Sequence, residues 1–292
     1  MDYKYLKYEV VDGVLTITLN RPEKLNAQNP ITLHELDLAF KAADVDDDVR
    51  VVIVTGEGKA FSAGADFTPP AANERFYFLD RFMGREDNEP NRDEGGVVNL
   101  TIYDMKKPVI AAINGSAVGI GITVTLPMDI RLASKHAKIG FAFARRGLVF
   151  DGCASWFLPR LVGTDVAAEW VYSGRIFTAQ EAFEKRLVTE LLEPEELMPR
   201  ARQIAKEMIE NSSSISIALC RQLMWKMLGA DHPMAAHILE SKSLNWIFGM
   251  PDAKEGIMSF LEKRPPKFPM RTSTDMPAFY PWWKQAEFKY YW

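Results

Sequence analysis

PVIAAINGSAVGIGITVTLPM, residues 108–128, is the stretch on which the fold turns. It carries no charged side chain, so it is the one segment long enough to suggest a membrane span. Asn114, Ser116, glycines 115, 119 and 121, and Pro127 interrupt it. A lipid-exposed turn would leave backbone N–H and C=O groups unsatisfied. The segment therefore reads as a buried strand (108–113), a tight turn at Asn114-Gly115 and a helix opening near Gly119. Working outward, Val51 to Val54 form a second apolar, β-branched run closed by Thr55-Gly56, again a core strand. VLTITL (14–19) alternates apolar and Thr residues, the period of a half-buried strand. After a turn at 20–23, Leu33, Leu36, Phe40 and Ala43 recur at helical spacing, and 46–48 mark a loop. Strands alternating with helices predict an α/β fold.

The remainder of the 292 residues fits that class. Apolar residues make up 47% and charged residues 25%, which excludes disorder and collagen. Thirty-five Lys and Arg against 39 Asp and Glu, interspersed, leave a net charge of −4, with no footprint for nucleic acid. Cys153 and Cys220 lie far apart without ligand spacing, and His34, His136, His232 and His237 do not cluster, so neither a disulfide framework nor a metal site is expected. The N-terminal MDYKYLKYEV has no apolar core of a secretory signal, so a cytoplasmic location without membrane attachment is expected. Residues 68–99, with Phe76, Tyr77, Phe78 and Phe82 followed by GREDNEPNRDEGG, read as a surface lid. Residues 199–246 are helical by pattern, with Asp231-His232-Pro233 resembling a cap and a first-turn proline. This divides the chain into a core, 1–198, and a helical C-terminal region, 199–292, whose aromatic tail from 276 onward is too apolar for water and should pack on the core or on another subunit.

The common catalytic motifs fail. Gly119-Ile120-Gly121 is too short for a dinucleotide fingerprint, GEGK (56–59) lacks phosphate-loop spacing, and there is no GxSxG elbow. Two glycine-bearing turns remain, FSAGAD (61–66) and NGSAVGIG (114–121). Their small residues would let backbone N–H groups approach one ligand oxygen. On spacing alone, two tight turns with no ligand are an equal reading.

Taken together, NRPEKLNA (20–27), GKAFSAGADF (58–67), KKPVIAAINGSAVGIG (106–121), MDIRLAS (128–134) and SFLEKRPPKF (259–268) resemble the crotonase (enoyl-CoA hydratase/isomerase) superfamily, in order and spacing, across nearly the whole chain. The resemblance implies a spiral of ββα units that binds an acyl-CoA thioester, with a C-terminal helical region building a homotrimer or a dimer of trimers. It implies that Ala65 and Ile120 supply the two N–H donors of an oxyanion hole. It places CoA contacts at Lys24, Leu25 and Ala27, at the backbone of Ala63, Gly64 and Asp66, and, from a neighbouring subunit, at Phe260 and Lys263. No cofactor beyond the CoA moiety is implied. Lys263 could also be read as a solvated helix-end lysine.

The chain departs from the two-glutamate pattern of the hydratases, because the corresponding positions hold Thr123 and Phe143. Neither can act as a carboxylate acid or base. A bulky Ile120 and an acid further along resemble the Δ3,Δ2-enoyl-CoA isomerase-like branch, whose acid falls near Asp151 in DGCASWFLPR (151–160). Asp151 is thus the candidate base, preceded by an apolar Leu-Val-Phe wall that should raise its pKa. The plainer reading is that Asp151 caps the next helix. Phe61, Phe67, Phe143, Phe150 and Trp156 are candidates for acyl-pocket lining. Double-bond migration is the expected reaction, with hydration through Asp151, another enolate chemistry, or acyl-CoA binding without turnover as alternatives.

Overall fold

The structure is a computed structural model that describes residues 2–67 and 92–288. Two sheets organise it. The larger has the order β1 (Leu6–Val11), β2 (Val14–Leu19), β3 (Val51–Gly56), β5 (Val109–Ile113), β7 (Ile130–Ser134) and β10 (Glu190–Leu192). β1 and β2 form an antiparallel hairpin, and every later neighbour is parallel. The smaller sheet has the order β4 (Ala60–Ser62), β6 (Ser116–Val118), β8 (Lys138–Gly140) and β9 (Ile176–Thr178). The chain passes from a strand of the first sheet to a strand of the second and then into a helix, and it does so repeatedly: β3–β4, β5–β6, β7–β8. That is the ββα spiral expected from the resemblance.

Side chains alternate across the large sheet with the period of two that strands impose. Val14, Val51, Ile53, Ile110, Ala112 and Leu132 face Leu197, Ala201 and Ala205. Leu15, Ile17, Val52, Val54, Ala111 and Ile113 face the main core with Phe40 and Phe61. β3 is buried on both faces, which explains why it reads as a continuous apolar run rather than an alternating one. The uncharged stretch 108–128 folds as β5, β6 and a four-residue helix over Ile120–Thr123, as its turns required.

Helix α1 (Pro30–Val45) starts where Asn29 accepts the Thr32 N–H and Pro30 occupies the first turn. Helix α2 spans Glu94–Asp104, so 94–99 are helical rather than part of a lid loop. The reason is local: Asp93 caps it, and Val98 and Ile102 are buried. The rest of the expected lid, with its aromatic piece, lies outside the described residues. Helix α3 (Ile120–Thr123) follows β6. Helices α4 (Ala154–Val162), α5 (Thr164–Ser173) and α6 (Ala179–Glu184) come next.

Helix α7 (Pro194–Asn211) packs against the back of the large sheet through the residues named above. It begins with a capping box between Glu193 and Glu196, so position 198/199 falls inside a helix that belongs with the sheet. Helices α8 (Ser214–Met227), α9 (Pro233–Phe248) and α10 (Pro251–Glu262) complete the helical C-terminal region, and His232 caps α9. Buried Arg221 and Gln222 of α8 donate to the carbonyls of Ile102, Tyr103 and Met105, closing the C-terminal end of α2. The tail packs on its own chain: Met276, Tyr280 and Trp282 cover Ile215, Leu219 and Met270. It then runs along α2, with Trp283 stacked on Lys226, Gln285 donating to Asp104, and Phe288 under Arg92. Among the described residues no helix is long and apolar enough to cross a membrane.

Candidate active site

Residues 60–66 form the spine of the site. On one edge they pair with the segment 24–28: Ala63 N–H donates to Leu25 O, Gln28 N–H to Gly64 O and Asp66 N–H to Gln28 O. Asn26 fastens that segment by donating to Glu57 O and Ala60 O, and Ser62 Oγ donates to Asn26 O. Leu25 and Asn26 are both left-handed, which folds 24–27 into a tight knob. Lys24 and Leu25 are exposed on it. On its other edge the spine pairs with β6.

In the parallel bridge between Gln28 and Ala65, the bonds run through Gly64 and Asp66, so the Ala65 N–H points away from Gln28, toward the β6–α3 edge. Gly64 makes the close approach: φ is +98°, and a Cβ there would stand 2.7 Å from Val118 O. Gly119, at φ 56° and ψ −127°, turns the chain from β6 into α3 in a region open only to glycine. Ile120 N–H then opens the helix with no acceptor inside it. Among the described residues neither the Ala65 nor the Ile120 N–H has a hydrogen-bond acceptor. Two unpaired donors thus stand on adjoining turns. Helix α3 has only four residues, so the N–H groups themselves, more than a helix dipole, carry the polarity here.

Thr123 stands one turn along α3 from Ile120, and its Oγ1 donates to Asp151 Oδ1 at 2.6 Å. The aspartate is thereby held to the same short helix that begins at Ile120. Burial is the chief cause that pushes the Asp151 carboxyl up to about 7; the Thr123 bond opposes it, and the Asp93 charge adds to it. The helix-cap reading fails: the residue at the cap of α4 is Cys153, in a left-handed conformation, without a side-chain cap bond. Phe143, at the other glutamate position, faces the second turn, its ring edge 3.8 Å from where a Gly119 Cβ would lie. Of the other lining candidates, Phe61 is fully buried in the core, Trp156 packs on Tyr103 and Phe157, and Phe150 packs against the core. Phe67 is exposed.

Sequence reasoning missed two residues here. Asp93 accepts the Gly152 N–H at 2.6 Å, and Asn99 Nδ2 donates to both Thr123 O and Gly152 O. An Asp ahead of an apolar run can start a helix, but here the acidic run and Gly-Gly read equally as a loop. The Asp66 carboxylate is ion-paired with Arg21, which also donates to Ala27 O and stacks on Tyr5. Phe260 and Lys263 lie at the end of α10, Phe260 with 81% of its surface exposed and Lys263 left-handed. Among the described residues no group of His, Cys, Asp and Glu could hold a metal ion.

The family profile described as Enoyl-CoA hydratase/isomerase matches residues 9–271. This chain belongs to that family. It is 39% identical over 258 residues to Enoyl-CoA hydratase ACTT3 of Alternaria alternata, covering 88% of this chain and 83% of that relative. It is 33% identical over 269 residues to a crotonyl-CoA hydratase of Syntrophomonas wolfei, covering 92% and 99%. A solved structure of a probable enoyl-CoA hydratase/isomerase from Mycobacterium abscessus superposes with a TM-score of 0.82 at 31% identity, covering 90% of this chain and 98% of that one. The family places an enzyme of enoyl-CoA thioesters on this fold, consistent with the paired donors beside a single perturbed carboxylate.

Proposed function

We propose that this family member moves a double bond within an enoyl-CoA thioester, with Asp151 as the sole acid and base. The observation that carries the reading is one carboxylate, held near neutrality, anchored to the same short helix that offers the Ile120 N–H. Ionised Asp151 takes the C2 proton of a 3-enoyl-CoA. The C–H electron pair forms the C1–C2 π bond and the thioester oxygen becomes an enolate, held by the Ala65 and Ile120 N–H groups. The same carboxyl then protonates C4, leaving the double bond between C2 and C3. One proton leaves and one returns, so no cofactor beyond the CoA moiety takes part. A carboxyl pKa near the operating pH suits both transfers.

The CoA moiety would lie along the knob at Lys24, Leu25 and Ala27 and the backbone of Ala63, Gly64 and Asp66. The exposed Phe260 and the Lys263 ammonium of a neighbouring subunit would complete its site in a trimer or a dimer of trimers. The apolar side chains left open on the C-terminal helices, Ile238, Phe248, Ile257 and Leu261 among them, support such an assembly. A cytoplasmic location belongs to the same reading.

A second reading is hydration, favoured by the relatives named as hydratases. In it Asp151 would take a proton from the water whose hydroxyl adds to C3, and return that proton to C2 of the resulting enolate. Incubation with 2-enoyl- and 3-enoyl-CoA esters in deuterated water, followed by mass spectrometry, separates the two. Bond migration with deuterium at C2 or C4 and no added water is expected; a hydrated product favours the second reading. Asp151→Asn should abolish turnover while leaving CoA-ester binding nearly intact, and full activity in that variant would remove Asp151 from either scheme.

A further inference from the structure

Asp93 lies outside everything assigned so far, yet its carboxylate is the junction of the site. Oδ1 accepts the Gly95 N–H at 3.0 Å, and Oδ2 accepts those of Gly96 at 2.9 Å and Gly152 at 2.6 Å. Two of these belong to the first turn of α2 and the third to the residue after Asp151. The turn that Asp93 caps also bears on the other half of the site: a Cβ on Gly95 would stand 2.7 Å from Ile120 Cδ1. Farther along α2, Asn99 ties Thr123 O to Gly152 O. Helix α2 and its cap thus touch the donor residue Ile120, the backbone of Thr123 and the backbone of Gly152, the residue after the base.

We propose that Asp93 is a positioning residue for the reaction: by holding the Gly152 N–H against the capped start of α2, it fixes the Asp151 carboxylate relative to Thr123 and Ile120. The inference rests on Asp151 being the base. A carboxylate, rather than any cap residue, is used because one ion can take three N–H donors at once and charge-assisted bonds are the stronger ones. Its charge has a second effect, since a like charge nearby favours the protonated form of Asp151. Among the described residues, the ionisable groups around Asp151 are Asp93 before α2 and Cys153 before α4, with Arg92 acting in turn on the Cys153 thiol.

The test uses Asp93→Ser and Asp93→Thr, both helix-capping residues, so α2 keeps a start while the charge is lost and the shorter hydroxyl no longer spans the Gly96 and Gly152 N–H groups. In both, kcat should fall by roughly tenfold to a hundredfold, with KM changed little. The acid limb of kcat against pH should move to lower pH by about half a unit or more, because the removed charge no longer opposes ionisation. Unchanged kcat and an unmoved limb would overturn the proposal. So would a fall in kcat with the limb in place, which is what a purely structural role produces. Asp151→Asn is measured alongside: if it keeps turnover, the base assignment itself has failed, and the inference falls with it for that separate reason.

Discussion

On the proposed reading, the pair formed by Asp151 and Thr123 sets the chemistry at the scale of single residues. The Thr123 hydroxyl donates to the ionised form and so lowers a pKa that burial raises. Thr123→Val removes that donor without changing shape much, so the acid limb of kcat should shift upward from about 7. A pH–rate profile checks it; a limb that stays or falls contradicts the arrangement. Stability carries the opposite signature. Asp151 binds its proton more tightly folded than unfolded, where a carboxyl titrates near ~3.9. Its contribution is therefore complete below about 4 and lost as the pH rises through about 7. Asp151→Asn, expected to be inactive, should be the more stable protein at pH 8, by ~1 kcal/mol or more, with the advantage shrinking as the pH is lowered. Thermal unfolding at the two ends of that range reads it directly.

Elements place the donors. The spine 60–66 can aim the Ala65 N–H away from Gln28 only because β6 passes close on the other side, and Gly64 is the residue that permits the approach. Gly64→Ala puts a methyl 2.7 Å from Val118 O at a φ of +98°, so the two turns must separate. If Ala65 N–H is the oxyanion donor proposed, losing it costs about 10²–10³ in kcat, and that loss, with the proposed CoA contacts at 24–27 intact, is the expected result from steady-state kinetics. The glycine turns, the strands before them and α1 were all legible from composition and period. The start of α2 was not, because an acidic run with Gly-Gly resembles a solvated loop until Val98 and Ile102 are seen to be buried. Asp93 went unnoticed with it.

For the molecule as a whole, the aromatic tail is the clearest case of distant chain acting on the core. Tyr280 and Trp282 cover Leu219 and Ile215, and Trp283 with Tyr103 encloses the Lys226 ammonium. Deleting residues 276–292 uncovers that surface, and burial of ~2 kcal/mol per large side chain converts to a fall in Tm of about 10 °C. Calorimetry of the truncated chain checks this, and an unchanged Tm would mean the tail is idle. The proposed trimer or dimer of trimers would cover the exposed Phe248, Ile257, Phe260 and Leu261; on that proposal ultracentrifugation should return a multiple of three protomers, and a monomer contradicts it.

The sequence by itself determined what depends on neighbours along the chain. The buried strands show as β-branched runs, α1 as a 3.6-residue period, and the turns as glycines, because each is a short-range preference written into a few adjacent residues. The family followed from five such pieces in order, and Asp151 from an acid at the right remove. Only the tertiary structure decided which carbonyls and carboxylates meet. Asp93 and Gly152 are 59 positions apart, Thr123 and Asp151 28, and Arg221 and Met105 116. No local rule links such pairs. They exist because the ββα spiral stacks its turns, and the pKa of Asp151, its orientation and the unpaired state of the two donor N–H groups are properties of that stacking alone.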